Sequence, residues 1–192
     1  MTPRLMLKRF IQAIALVLSL LPALSSGFGR ARGLFVFFAQ LYALVPDKPG
    51  MFLRAAYYRL TLSDCSIDVA IGFGTVFVHP GAALKQFVSI GSFCIIGRAQ
   101  IGERTQISSG VQIPSGRHQH SRDTRGVLQD SAKESVVIGM DCWIGASTVI
   151  MASVGDGATI GAGSIVVNPI PPGSVAVGNP ARVQQKAETK TV

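Results

Sequence analysis

A recurring dipeptide constrains this chain more than any other feature. Ile-Gly occurs seven times, at Ile71-Gly72, Ile90-Gly91, Ile96-Gly97, Ile101-Gly102, Ile138-Gly139, Ile144-Gly145 and Ile160-Gly161. Aliphatic residues also recur at Val78, Leu84, Ile90 and Ile96 in steps of six, and at Ile101, Ile107 and Ile113 after one step of five. Six matches neither the 3.6-residue period of an α-helix nor the alternation of a long strand. It matches a coil of short strands joined by turns that need glycine or another small residue. Every sixth side chain then points into a prism, and the aliphatic stack is its core.

The chain has 192 residues, which is most simply one domain with an appendage. It is 48% hydrophobic and 15% charged, with 21 Gly and 10 Pro, which excludes a disordered chain, a coiled coil and a nucleic-acid-binding tail. Cys65, Cys94 and Cys142 are odd in number and lack CxxC spacing, so they read as reduced thiols and not as a disulfide framework or zinc site.

The net charge of +8 is concentrated at one end. Residues 1–60 hold Arg4, Lys8, Arg9, Arg30, Arg32, Lys48, Arg54 and Arg59 against the single acid Asp47. The same segment holds two apolar runs, Phe10 to Leu24 and Gly33 to Val45. Each run is shorter than the roughly 18–20 apolar residues that span a bilayer, and Gln12 and Pro22 interrupt the first. The pattern predicts one or two helices lying in a membrane surface, with arginines near anionic headgroups. Two alternatives stay open: a cleaved signal peptide ending in ALSSG, and helices that pack on the body or cap one end of the coil. Tyr57, Tyr58 and Arg59 mark the hand-over into the main fold.

From about residue 65 to 185 the chain resembles the hexapeptide-repeat acyltransferases, above all in VVIGMDCWIGASTVIM and VGDGATIGAGSIVVNPIPPGSVAVGNPARV. The resemblance implies an all-β, left-handed parallel β-helix preceded by an apolar helical segment. Handedness comes from the family alone, because ordinary parallel crossovers are right-handed. The organisation expected is residues 1–60 as the membrane-associating or capping segment, 61–185 as the β-helix and 186–192 as a tail.

The repeat breaks between Ile113 and Ile138, and the expected loop, 114–135, carries His118 and His120 among Arg117, Arg122, Asp123 and Arg125. A long loop thrown from a rigid coil is a natural place for chemistry. Imidazole, with an ordinary pKa near 6.5, suits a base that takes a proton from an alcohol or amine. Within the resemblance, Ser115-Gly116-Arg117-His118 occupies the place of the family's general base, so His118 is the catalytic candidate. His120 is its neighbour at the substrate, and Asp123 or Glu134 is a candidate to orient it. His79 reads as a turn residue. Some β-helix proteins of this kind are zinc-dependent carbonic anhydrases, but the spacing of the three histidines does not match a metal site, and no metal is expected.

The resemblance further implies acetyl-CoA or another acyl-CoA, laid along the prism between subunits of a homotrimer. It places Trp143 beside the pantetheine arm, Gly145, Ala146, Ala162 and Gly163 along that arm, and Arg182 at the nucleotide phosphates. Asn168 stands, after Val167, where many members carry Thr-Lys, and Lys186 or Lys190 is a substitute phosphate contact. The step from Ile150 to Val154 is four, so one coil is shortened. These features predict a cytoplasmic O-acetyltransferase, peripheral at the inner face of a membrane, acting on a saccharide hydroxyl of an acceptor that is lipid-linked. No cysteine neighbours a histidine in sequence, so transfer is expected to be direct. The alternatives are N-acetylation of an amino sugar, acetylation of serine or an antibiotic, and a non-catalytic scaffold.

Overall fold

The computed structural model describes residues 2–115, 120–122, 128–130 and 135–184, with backbone alone for 120–122 and 128–130. Three helices come first: α1 (Pro3–Ser25), α2 (Arg32–Ala43) and α3 (Asp47–Thr61). Short strands then wind into a parallel β-solenoid. The first coil holds β1 (Asp64–Cys65), β2 (Ala70–Ile71) and β3 (Val76–Phe77), and the second holds β4 (Ala83–Leu84), β5 (Ser89–Ile90) and β6 (Ile95–Ile96). The third holds β7 (Ala99–Ile101), β8 (Gln106–Ile107) and β9 (Gln112–Ile113). A hairpin of β10 (His120–Arg122) and β11 (Leu128–Asp130) intervenes. The fourth coil is β12 (Val136–Ile138), β13 (Trp143–Ile144) and β14 (Val149–Ile150). The fifth contributes β15 (Thr159–Ile160) and β16 (Ile165–Val166), and β17 (Val175–Gly178) with antiparallel β18 (Ala181–Val183) closes the stack.

These strands form three faces, β1-β4-β7-β12, β2-β5-β8-β13-β15-β17-β18 and β3-β6-β9-β14-β16. The interior is two columns deep. One is the column of large apolar residues Ile71, Phe77, Leu84, Ile90, Ile96, Ile101, Ile107, Ile113, Ile138, Ile144 and Ile150, aliphatic but for Phe77 and all buried. Two residues before each lies a smaller buried one, among them Thr75, Val88, Cys94, Thr105, Val111, Cys142 and Thr148. Cys94 and Cys142 are therefore small packing residues, and all three cysteines are free and buried. Val78 is a correction: Phe77 takes the inward place, against Tyr58, while Val78 is only half-buried.

The irregular steps share one cause. The two corners leaving the first and second faces are always crossed in six residues, as in Leu84 to Ile90 to Ile96 and Ile138 to Ile144 to Ile150. The corner from the third face back to the first is crossed in seven residues from Phe77 to Leu84, five from Ile96 to Ile101 and four from Ile150 to Val154. Four recurs from Val166 to Ile170, so the shortened coil is a repeated step, with Val154 bridging Ile138 and Ile170. The long insertion before β12 leaves from this same permissive corner.

The N-terminal segment differs from the expectation in two respects. There are three helices, the third taking in Tyr57 and Tyr58, both fully buried. The first is 23 residues long and runs through Pro22, so by length and composition it is able to cross a membrane. Helix α3 covers the first coil, whose outer edge has no coil beneath it. Arg54 donates to the Ile71 carbonyl (2.9 Å), Tyr58 accepts from the Phe77 amide (3.1 Å), and the Ala43 carbonyl accepts from the Gly74 amide (2.9 Å). Those contacts blunt an edge that would otherwise template pairing.

Candidate active site

On β13, Trp143 stands on the second face, 61% exposed, with Ile144 pointing into the core beside it. The strand pairs with β8 and β15, so Trp143 lies level with Gln106 and Thr159. Beyond the strand, Gly145 and Ala146 begin the corner, and their equivalents in the next coil are Gly161 and Ala162, followed by Gly163. The Gly163 amide donates to the Ala146 carbonyl at 2.8 Å, tying the two corners together. A Cβ on Gly145 would stand 2.5 Å from the Ala162 amide nitrogen, so glycine is required there by the coil above. Gly163 has φ +69 with open space around it, giving an exposed corner with no side-chain wall. Trp143, Gly145, Ala146, Ala162 and Gly163 thus form one low-walled shelf.

Arg182 is on the same face. The register runs Trp143 to Thr159 to Val175, and β18 pairs back on β17 with Val177 opposite Arg182. From β13 to β18 is three strand spacings, about 14 Å. The face therefore offers an aromatic plate, a row of small corners and an exposed guanidinium, which suits an elongated molecule with an anionic end. Asn168 is elsewhere, exposed on the corner from the third face to the first.

At the root of the insertion is a cavity of about 200 Å³ lined by Arg32, Val78, His79, Ile95, Gly97, Gln112, Ile113, Pro114 and Ser115. Ser115 Oγ accepts from the Arg98 amide (2.9 Å), and His79 Nδ1 accepts from the Gly81 amide (2.9 Å). The second bond makes His79 a turn-fixing residue, as its FVHPGA context predicts, yet its ring also lines the cavity. Arg32 and Gln112 carry no signal in the sequence, because a helix and separate coils bring them beside Ser115 and His79.

His118 lies outside the described residues, as do Gly116, Arg117, Asp123, Arg125, Glu134, Lys186 and Lys190. His120 begins β10, its backbone in register with Asp130. Larger concavities of about 520 and 590 Å³ lie at the first face; Asp64, Lys85 and Glu103 line both, with Arg59 added in the first and Asp156 in the second, and Lys85 is already paired with Asp64. Among the described residues no group of three or more His, Cys, Asp or Glu gathers as a metal would need. None of the cysteines is a ready nucleophile: burial pushes the Cys65 thiol up to about 12 and raises Cys94 and Cys142 as well.

With this geometry in view, the likeness to known proteins has a structural basis. A maltose O-acetyltransferase from Clostridium difficile 630 superposes with a TM-score of 0.68 at 22% identity, covering 86% of this chain and 91% of that one. The chain shares the parallel β-solenoid fold of that acetyltransferase. The hexapeptide-repeat acetyltransferase VCA0836 from Vibrio cholerae O1 biovar eltor, complexed with acetyl coenzyme A, has a TM-score of 0.53 at 18% identity, covering 81% and 87% of the two chains. In sequence, the chain is 40% identical over 68 residues to a 2,3,4,5-tetrahydropyridine-2,6-dicarboxylate N-acetyltransferase of Clostridium perfringens (strain SM101 / Type A), 34% of this chain and 29% of that protein. The matched stretches span under a third of the length of the first curated relatives. No family model matches the chain.

Proposed function

We propose that this protein is an acetyl-CoA-dependent O-acetyltransferase acting on a saccharide hydroxyl in cell-surface glycan synthesis. The observation that carries the reading is the second face, where Trp143, the Ala146 and Ala162-Gly163 corners and Arg182 share one surface. The pantetheine arm lies along the corners beside Trp143, and the nucleotide phosphates meet Arg182. Asn168 belongs to the same donor site only across a subunit boundary, which fits a homotrimer. Exposed Ile95, Val137, Val175 and Val177 on the outer faces supply apolar surface for such contacts.

His118, three residues beyond Ser115 at the cavity root, is the general base. It takes the proton of the acceptor hydroxyl as that oxygen attacks the thioester carbonyl. The tetrahedral oxyanion is met by a backbone amide, then the carbon–sulfur bond breaks and CoA leaves as the thiol. The buried, high-pKa cysteines favour this direct transfer over an acyl-enzyme. His120 contacts the acceptor or His118. Residues 1–60 place the enzyme at the cytoplasmic face of a membrane, within reach of a lipid-linked saccharide.

In assays of CoA release from acetyl-CoA with maltose or glucosamine as acceptor, His118→Ala is expected to lower the rate by about 10²–10⁴ while the thermal midpoint stays put. A variant as active as wild type would remove His118 from the mechanism. Preference for glucosamine, with an N-acetyl product, would favour the amino-sugar reading.

A further inference from the structure

Helix α1 is amphipathic in the opposite sense to a helix packed on a soluble body. Its buried row is Gln12, Ala15, Ser19 and Ala23, small or polar residues facing the protein. Its large apolar residues face outward: Leu7, Phe10, Val17, Leu18, Leu21 and Leu24 are all exposed, Val17 at 69% and Leu21 at 74%. Water-facing helices bury their large apolar stripe; small residues toward a neighbouring helix and large aliphatics away from it are the arrangement of helices in lipid. Helix α2 also exposes large apolar residues, Leu34, Phe37 and Leu41, while its inward row is mixed, the aromatic Phe35 with the small Ala39 and Ala43. The two helices touch where Tyr42 donates to the Leu18 carbonyl at 3.3 Å.

Charge selects the occupant. Residues 1–46 contain no acid, and exposed Arg4, Arg30 and Arg32 flank the apolar rows, which matches anionic headgroups. Attachment selects the orientation. Lys8 and Arg9 both bond Asp68 of the first coil (2.8 and 2.9 Å), and Gln12 donates to the Ile67 carbonyl at 3.0 Å. A crossing α1 would have to abandon these bonds and its packing on α3.

We infer that α1 lies in the plane of an anionic bilayer surface, its outward row in the acyl boundary and Arg4, Arg30 and Arg32 at the phosphates. This deepens the membrane placement proposed above and is independent of the acyl-transfer chemistry. The insertion then leaves the stack two coil steps, about 10 Å, beyond the coil that α1 touches. That separation is on the scale of a headgroup-borne saccharide.

Flotation of the full chain with sealed vesicles of phosphatidylcholine, with and without one quarter phosphatidylglycerol, tests this without acetyl-CoA present. Wild type is expected to float with the anionic vesicles and to be released by salt. The double variant Val17→Gln, Leu21→Gln is expected to partition at least about a hundredfold less, at unchanged thermal midpoint and oligomeric state. An epitope at the N-terminus is expected to stay open to protease added outside. Undiminished flotation of the double variant overturns the proposal, and so does a protected epitope, which means a crossing helix. Loss of oligomerisation in the variant, with flotation unchanged, assigns the face to a second copy of the chain.

Discussion

Arg54 is 1% exposed and has no carboxylate partner among the described residues; instead its guanidinium feeds three carbonyls, of Ile71 (2.9 Å), Tyr42 (3.0 Å) and Val45 (2.8 Å). Burial lowers its pKa from the usual value, opposed by nearby Tyr58, but an arginine stays charged across the accessible range. One side chain thus joins the end of α2 to the open edge of the first coil. Arg54→Ala strands buried carbonyls and removes charge-assisted bonds, so it is expected to cost about 3–5 kcal/mol, read as a lowered midpoint in urea unfolding. A loss under 1 kcal/mol would mean water replaces the guanidinium. In the sequence Arg54 is one of eight basic residues of the N-terminal segment, whose arginines are expected near anionic headgroups. Nothing local distinguishes a cation that caps three carbonyls from one that faces lipid. Phe77 was missed for a related reason, because Val78 fits the step of six and the seven-residue corner beyond it could not be seen.

Among elements, the attachment of α1 depends on Asp68. Burial alone raises that carboxyl, but hydrogen bonds from Lys8, Arg9 and Gln12 outweigh it and hold the pKa below the usual carboxylate value. A depressed folded pKa gives stability that is present above the unfolded value and lost as pH falls through the folded one. The cations are 43% and 46% exposed, so the pair is worth about 1 kcal/mol or less. Trypsin cleavage after Lys8 and Arg9 is therefore unsuitable as a probe in acid, and amide exchange along α1 is the better one. The protection of α1 amides, corrected for the intrinsic exchange rate at each pH, is expected to fall below about pH 4, and Asp68→Asn is expected to show the lowered protection at neutral pH. Equal exchange in the variant would show that packing on α3 suffices. The solenoid itself was legible because each coil repeats one physical requirement, an aliphatic residue and a small one inside. The helices were less so: two apolar runs stood out, while α3 (Asp47–Thr61), with mixed polarity, has a pattern set by the coil it covers.

Across the whole molecule, three parts meet: a helical cap with an outward apolar face, a rigid prism of five coils, and an insertion at the one corner whose length varies. Of the residues expected to hold the donor, Trp143, Gly145, Ala146, Ala162, Gly163 and Arg182 share the second face, because successive coils put equivalent positions in line. Asn168 does not, and the cavity formed by Arg32, His79, Gln112 and Ser115 was invisible in a linear reading because four separate elements build it. The second face is the proposed acetyl-CoA site. Thermal unfolding with and without the ligand tests it directly: at 100 times its dissociation constant, acetyl-CoA should stabilise by about 2.7 kcal/mol, a shift of roughly 5–11 °C. Wild type is expected to show that shift, Trp143→Ala and Arg182→Ala a reduced one, and adenosine none. No shift at millimolar acetyl-CoA, or an undiminished shift in both variants, would contradict it.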